Sequence, residues 1–382
     1  MSEDRHNILQ VLPQMETGGV ERGTVEIAYA LSQAGHRALV AASAGSMTRD
    51  LEKAGAEFFR LPLRRKRPLT IWRNIGRLQR LVELERVDLV HARSRAPAWS
   101  ALYAARRSGR PFVTTIHGAY GASSMVKRAY NSVMARGDRV IAISDFIRNY
   151  ALATYANLDE AAIRVIPRGV DMRMFQPSDV THARMIQLAQ AWSLPDGAPV
   201  VLLPGRLTRL KGPEVVIEAL ARSASDEAVL VFVGGDAGRE AFKVELRKLA
   251  EQMGVADRIR FTGLCRDMPA AYSLASVVVS ASIKPEGFGR TSVEAQAMGR
   301  PVVVSDHGGV RETVVDGATG WRVPPGDGAA LAAAIDDALA LDPEARSALA
   351  TRAMSHVRDN FTLELMQQRT LAVYDELLGG RG

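Results

Sequence analysis

The chain has 382 residues, 47% hydrophobic and 24% charged, which is ordinary for two folded domains and excludes collagen-like, disulfide-stapled and wholly disordered proteins. Its single cysteine, Cys265, cannot form an intramolecular disulfide, and no apolar run approaches the roughly 18 residues of a spanning helix. The net charge of +7 is uneven: residues 1–175 hold 27 basic and 16 acidic side chains, residues 176–382 hold 22 and 26. The N-terminus, MSEDRHNILQVLPQ, is acidic and polar before a short apolar stretch, unlike a secretory signal, so a cytoplasmic location is expected.

In chain order, HNILQVLP, RALVAAS, FFRLPL, VDLVHAR, PFVTTIHG, RVIAIS and IRVIPRG read as short buried strands, with helical patterns between several of them. The series restarts at PVVLLPG and alternates again through WRVP and a helix over AALAAAIDDALAL. This predicts two tandem Rossmann-like α/β domains with parallel sheets, residues 1–172 and 173–361. The boundary is expected in VDMRMFQPSD and the stretch to about Pro199. A C-terminal helix over about 362–382 follows the second sheet. Ligands of open parallel sheets bind outside the carboxyl ends of the strands, so a cleft where the two domains face each other is the expected site.

The densest basic run is Arg64, Arg65, Lys66 and Arg67. It precedes a helical pattern with Ile71, Ile75, Leu78 and Leu81 or Val82 on one face and Arg73, Arg77 and Arg80 on the other. One reading is a core-packing helix with solvated arginines. The other is docking on anionic lipid, where four basic residues supply about 4 kcal/mol. Nucleic acid is disfavoured, because no aromatic interleaves the run and no recognition module is visible.

The strand-to-helix loops carry phosphate chemistry. Gly18-Gly19 opens the first helix, where backbone N–H groups can approach an anion, although a lone Gly-Gly reads better as a plain tight turn and the spacing to Gly23 is not a dinucleotide fingerprint. Gly205 to Gly212 holds Arg206 and Lys211 ahead of Pro213; the pattern is not a nucleoside-triphosphatase loop, but a guanidinium fork and a lysine point charge suit a diphosphate. Pro285 to Ala295 places Glu286 and Glu294 around Gly287-Phe288-Gly289-Arg290. A hydrolytic carboxylate pair needs roughly 5–9.5 Å between carboxyls. Eight helical steps span up to about 12 Å, which disfavours that reading without excluding it. One glutamate on ribose hydroxyls and one on a transferred group fits better.

These stretches, in this order, resemble the retaining glycosyltransferases of family 4, with the two-domain GT-B fold. The likeness covers nearly the whole chain: Gly18-Gly19-Val20-Glu21-Arg22, Gly205-Arg206 with Lys211, Glu286 to Glu294 as a Glu-x7-Glu signature, and Ala295, Met298, Gly299 and Pro301 beyond it. Phe261-Thr262-Gly263 and Ala271-Tyr272 also fit. The resemblance implies a nucleotide-sugar donor, UDP- or GDP-linked, with Glu294 on the ribose and Glu286 near the hydroxyls of the transferred sugar. It implies Arg206, Lys211 and the amides of Phe288, Gly289 and Arg290 on the leaving diphosphate, and the backbone around Cys265 beside the base. His117 in Thr-Thr-Ile-His-Gly matches the family's histidine beside the donor sugar, although a strand-end histidine alone reads as structural. The C-terminal helix resembles the family's, which returns to the first domain.

No Asp-x-Asp motif stands out, so metal independence and no resident cofactor are expected. Arg93, Ser94 and Arg95 end a strand, and either meet an anionic acceptor or form a solvated loop. With the basic run they suggest a glycan or glycolipid acceptor at the inner face of the cytoplasmic membrane. The arginine-rich first half is similar to the lipopolysaccharide-core sugar transferases of this family, which points to cell-envelope biosynthesis. Two rivals remain: a nucleotide-sugar epimerase and a noncatalytic nucleotide-sugar binder.

Overall fold

The computed structural model describes residues 5–16, 18–65, 67–121, 124–235, 238 and 240–379. The chain divides into two compact units, one from Met1–Arg168 with Leu363–Gly382 and one from Gly169–Thr362.

The first unit runs β1 (Asn7–Gln14), α1 (Gly19–Gln33), β2 (Arg37–Ser43), α2 (Thr48–Lys53), β3 (Glu57–Arg60), α3 (Pro68–Leu84), β4 (Leu89–Ala92), α4 (Arg95–Arg107), β5 (Phe112–Ile116), α5 (Met125–Asn131), β6 (Arg139–Ala142), α6 (Asp145–Thr154) and β7 (Ile163–Val165). Its seven strands lie in the order β3-β2-β1-β4-β5-β6-β7, and every pair is parallel. Parallel strands need crossover connections, and the helices supply them. Both sheet faces are therefore covered, which is why β4 and β5 are buried at every position.

The second unit runs α7 (His182–Ala191), β8 (Val200–Pro204), α8 (Pro213–Arg222), β9 (Val229–Val233), α9 (Glu240–Gln252), β10 (Ile259–Gly263), α10 (Met268–Leu274), β11 (Val277–Ser280), α11 (Arg290–Ala297), β12 (Val302–Ser305), α12 (Val310–Thr313), β13 (Trp321–Val323), α13 (Gly328–Leu339) and α14 (Pro343–Asn360). Six parallel strands lie in the order β10-β9-β8-β11-β12-β13. Strands β8, β9, β11 and β12 are buried at every position and apolar except for Ser280 and Ser305 at the ends of β11 and β12. Each such Val or Leu contributes about 1.5–3 kcal/mol by leaving water. Asp327 and Asp342 cap α13 and α14 by accepting from Ala330 N at 2.9 Å and Ala345 N at 2.7 Å.

The last helix, α15 (Leu363–Leu378), belongs to the first unit. Leu363, Met366, Val373 and Tyr374 join the core around Ile27 and Leu31. The Gln367 amide donates to Glu26 O at 2.8 Å, and Glu376 pairs with Arg139 and Arg164 at 2.9 and 2.8 Å.

The stretch in which the domain boundary is expected, up to about Pro199, contains α7. None of its residues is buried, so it carries no strong apolar stripe. It is held by Arg184, whose guanidinium meets Asp267 at 2.6 and 2.9 Å.

Candidate active site

In the second unit the strand order reverses between β8 and β11, the position where open parallel sheets bind ligands. The loops leaving these two strands are stitched together. Ile283 N donates to Leu210 O at 3.0 Å. Gly212 sits at φ +63°, and a Cβ there would stand 2.0 Å from Ala281 O, so a side chain is excluded on two grounds. The close approach sets Lys211 against Glu286, with Nζ 2.8 Å from Oε1.

Glu286 also accepts from Ser280 Oγ at 3.3 Å and from Ser282 Oγ. Burial pushes its carboxyl up. The Lys211 ammonium and the two hydroxyls outweigh that and hold it below the usual carboxylate range. Its main chain is fixed too: Gly309 N donates to Glu286 O at 2.8 Å. A Cβ on Gly308 would fall 2.5 Å from that same oxygen.

Helix α11 starts at Gly289, whose φ of +90° turns the chain into the helix. One turn in, Glu294 is 8% exposed. Its Oε2 accepts from the buried Tyr272 hydroxyl at 2.9 Å, and its Oε1 from Arg290 Nε at 3.0 Å. Phe288 is buried, edge-on to Phe361 at 5.5 Å. Arg206 is exposed, and no partner holds its guanidinium among the described residues. Cys265 is a free thiol, and burial pushes its pKa up, which opposes a nucleophilic role.

In the first unit, Gly18 is the extended N-cap of α1 and Gly19 its first residue. Arg168, 6% exposed, donates to Gly19 O. Its guanidinium fills the space beside Gly23, where a Cβ would stand 2.3 Å from Nη1. His117 follows β5, with a buried Nε2 that has no hydrogen-bond partner among the described residues. Burial, then Arg168, Arg93 and His91, hold its imidazole well below the ordinary histidine pKa, so the ring is neutral.

The basic residues of this unit separate. Arg93, expected to meet an acceptor, is 3% exposed and donates to Gln10 Oε1 at 3.2 Å. That removes it from any acceptor surface. Arg64 instead joins Ser94 and Arg95 in lining a cavity of about 350 Å³ with Pro13, Gln14 and Tyr130. This cavity lies at the carboxyl ends of β1 and β4, where the order of the first sheet reverses. Ser94 is the N-cap of α4 and its hydroxyl caps nothing, which leaves helix amides to offer an anion. Arg95 is held at 3.0 Å by Asn131 and lies 4.1 Å over the Tyr120 ring. Arg65 and Arg67 are exposed; Lys66 lies outside the described residues. In α3, Ile75, Leu78 and Val82 are buried and Arg73, Arg77 and Arg80 are exposed.

Sequence reading missed Ser280, Ser282, Arg168 and the hold of the Gly308-Gly309 turn on the Glu286 main chain. Only the two serines carried a signal, since residues two apart at a strand end face the same way. Among the described residues, no group of three or more His, Cys, Asp and Glu side chains is placed to hold a metal ion. No helix of the described residues is long and apolar enough to cross a membrane.

Comparison with known proteins adds the following. The family descriptions Glycosyltransferase Family 4 and Glycosyl transferases group 1 match residues 17–173 and 186–356. D-inositol 3-phosphate glycosyltransferase 1 of Catenulispora acidiphila is 33% identical over 317 residues, 77% of this chain and 74% of its own. The GDP-mannose-dependent alpha-(1-6)-phosphatidylinositol monomannoside mannosyltransferase of Mycolicibacterium smegmatis is 32% identical over 320 residues, 80% of each chain. The crystal structure of a glycosyltransferase from Rickettsia africae is 33% identical with a TM-score of 0.91, covering 98% of this chain and 99% of its own.

Proposed function

Since the chain belongs to the family 4 glycosyltransferases and has their GT-B architecture of two parallel α/β units, we propose that it moves a sugar from a nucleotide-sugar donor to a glycan or lipid-linked acceptor, retaining the anomeric configuration. The observation that carries this reading is the joined pair of loops after β8 and β11. They gather Lys211, Glu286, the amides around Gly289, and the Tyr272–Glu294–Arg290 group.

The division of labour follows from charge. Breaking a sugar–phosphate bond leaves an oxocarbenium-like sugar and a diphosphate that gains negative charge. Arg206 and Lys211 oppose that charge, together with the amides of Phe288, Gly289 and Arg290 at the start of α11. A hydrogen bond to a charged group is worth about 1.5–3 kcal/mol, so the two cations supply a useful fraction of the barrier reduction. Glu294 accepts from the ribose hydroxyls, fixed by Tyr272 and Arg290. Glu286 accepts from hydroxyls of the transferred sugar. Gly18 and Gly19 offer backbone N–H groups to the donor and His117 lies beside the donor sugar, as the resemblance implies, and a neutral imidazole suits a hydrogen bond to a sugar hydroxyl. The leaving phosphate takes the acceptor proton on the same face. No metal and no resident cofactor is needed, because the two cations supply the charge.

For the acceptor, the cavity of Arg64, Ser94 and Arg95 favours an anionic group. Two relatives carry inositol 3-phosphate and phosphatidylinositol monomannoside in their names, and one carries GDP-mannose. A UDP- or GDP-sugar donor and a cell-envelope acceptor, lipopolysaccharide among them, at the cytoplasmic membrane face agree with this chemistry. The test is nucleotide release from UDP-, GDP- and ADP-sugars with and without EDTA, followed by the anomeric configuration of the product. One preferred donor, no effect of EDTA and a retained configuration are expected. Turnover of the donor sugar to an epimer with no acceptor would replace the reading by the epimerase.

A further inference from the structure

The first unit carries a second recess, of about 340 Å³, which shares no lining residue with the cavity of Arg64, Ser94 and Arg95. One wall is α5 and the turn after it, through Met125, Ala129 and Ala135. The other is the segment that follows α6. Tyr155 and Leu158, 5% and 9% exposed, contribute its buried part. Arg128 and Arg136 line it as exposed residues, and no acidic side chain does. The recess is therefore mostly apolar, with Ser132, Thr154, Asn157 and the Tyr155 hydroxyl as its neutral polar groups, and cationic at the edge.

Helix α5 exposes what helices of water-soluble proteins bury. Met125 is 86% and Val126 79% exposed, and Asn131 is the only buried residue of the seven. Lys127 and Arg128 follow directly, so one short helix offers apolar and cationic contacts together. Nearby, the Arg136 guanidinium lies 5.0 Å over the Trp99 ring, which stacks on the half-exposed Tyr103 at 6.3 Å. Trp and Tyr beside Lys and Arg around exposed apolar side chains is the composition of a surface that meets a bilayer interface. A soluble peptide groove would not need the excess of positive charge.

We propose that this recess is a lipid-chain site, taking one hydrocarbon chain of an anionic bilayer lipid whose phosphate lies on Arg128 and Arg136, with Met125 and Val126 entering the bilayer beside it. None of the residues lining the recess is among the donor residues, and its occupancy does not depend on the transferase reading.

The test uses the full chain in two assays. In the first, sedimentation with phosphatidylglycerol–phosphatidylcholine vesicles is compared with phosphatidylcholine alone. In the second, thermal unfolding is followed with dodecyl phosphate and with inorganic phosphate. At least ten-fold tighter binding to the anionic vesicles is expected, together with a rise in Tm from dodecyl phosphate that inorganic phosphate does not give. Ala129→Trp, which fills the recess from an exposed position, should abolish the Tm shift. Arg128→Glu with Arg136→Glu should remove the vesicle preference. Both variants should keep wild-type nucleotide release, which separates loss of the site from loss of the fold. Equal binding to both vesicles, or an Ala129→Trp protein that still responds to dodecyl phosphate, would overturn the proposal. So would a concentration-dependent dimer broken by the same substitutions, since a second copy would then be the occupant.

Discussion

Lys211 Nζ lies 2.8 Å from Glu286 Oε1, so the cation assigned to the leaving diphosphate and the carboxylate assigned to the transferred sugar are engaged with each other. Lys211→Met leaves a buried carboxylate with hydroxyl donors alone. It should lower stability by about 1–3 kcal/mol and kcat by more than ten-fold. Glu286→Gln in the same chain should restore part of the stability but none of the turnover. Urea unfolding of the two single variants and the double variant checks this. Because the folded carboxyl is held below its ordinary pKa, the wild-type contribution is complete above that ordinary value of 4.5 and is lost as pH falls through the lower folded one. Neutral-pH assays therefore read the pair intact.

Tyr272→Phe removes the hydroxyl 2.9 Å from Glu294 Oε2 and changes little else in volume. A cost of about 1–2 kcal/mol is expected from the carboxylate oxygen left without that donor. If Glu294 binds the ribose, donor KM should rise several-fold while kcat changes less than two-fold. Equal losses in both parameters would mean that Tyr272 supports the fold and not the donor.

Gly23 and Arg168 make a sharper case. Alanine inside a helix is worth about 1 kcal/mol over glycine, yet the added Cβ would stand 2.3 Å from Arg168 Nη1. Gly23→Ala should therefore destabilise the chain by about 1 kcal/mol net, since displacing a packed group costs about 1–3 kcal/mol. In an Arg168→Ala background the same substitution should stabilise it. The change of sign in a double-mutant cycle is the readout.

His91 in β4 and His117 just after β5 predict an acid-sensitive fold. His91 is fully buried between the Tyr374 hydroxyl and Thr115 Oγ1, each at 2.7 Å. Burial first, then Arg93, holds it well below 6.5; His117 is held down by burial and then by Arg168, Arg93 and His91. Both fold neutral, so their contribution is complete above pH 6.5 and falls as pH drops below it, by about 1.4 kcal/mol per pH unit for each histidine. The urea midpoint should be lower at pH 5.5 than at 7.5, and His117→Gln should flatten the difference.

Much of this was legible in the chain. Buried parallel strands are continuous apolar runs, so β8, β9, β11 and β12 announce themselves, and the turns after β8 and β11 carry Arg206, Lys211 and Glu286, with Glu294 in the helix that follows. What was hidden depends on residues distant in sequence. Arg93 reads as a surface charge until Gln10 is seen beside it. Helix α7 buries nothing and is held by Asp267, far along the chain. Arg168 acts on a helix that ends more than a hundred residues before it. No local pattern encodes such pairings.

The most direct test of the central claim is the dissociation constant of the preferred nucleotide sugar for the wild type and for Glu294→Ala, by calorimetry. A loss of at least ten-fold in affinity, with an unchanged circular dichroism spectrum, is the predicted result. Undiminished affinity in Glu294→Ala would contradict the assignment of the α11 carboxylate to the donor.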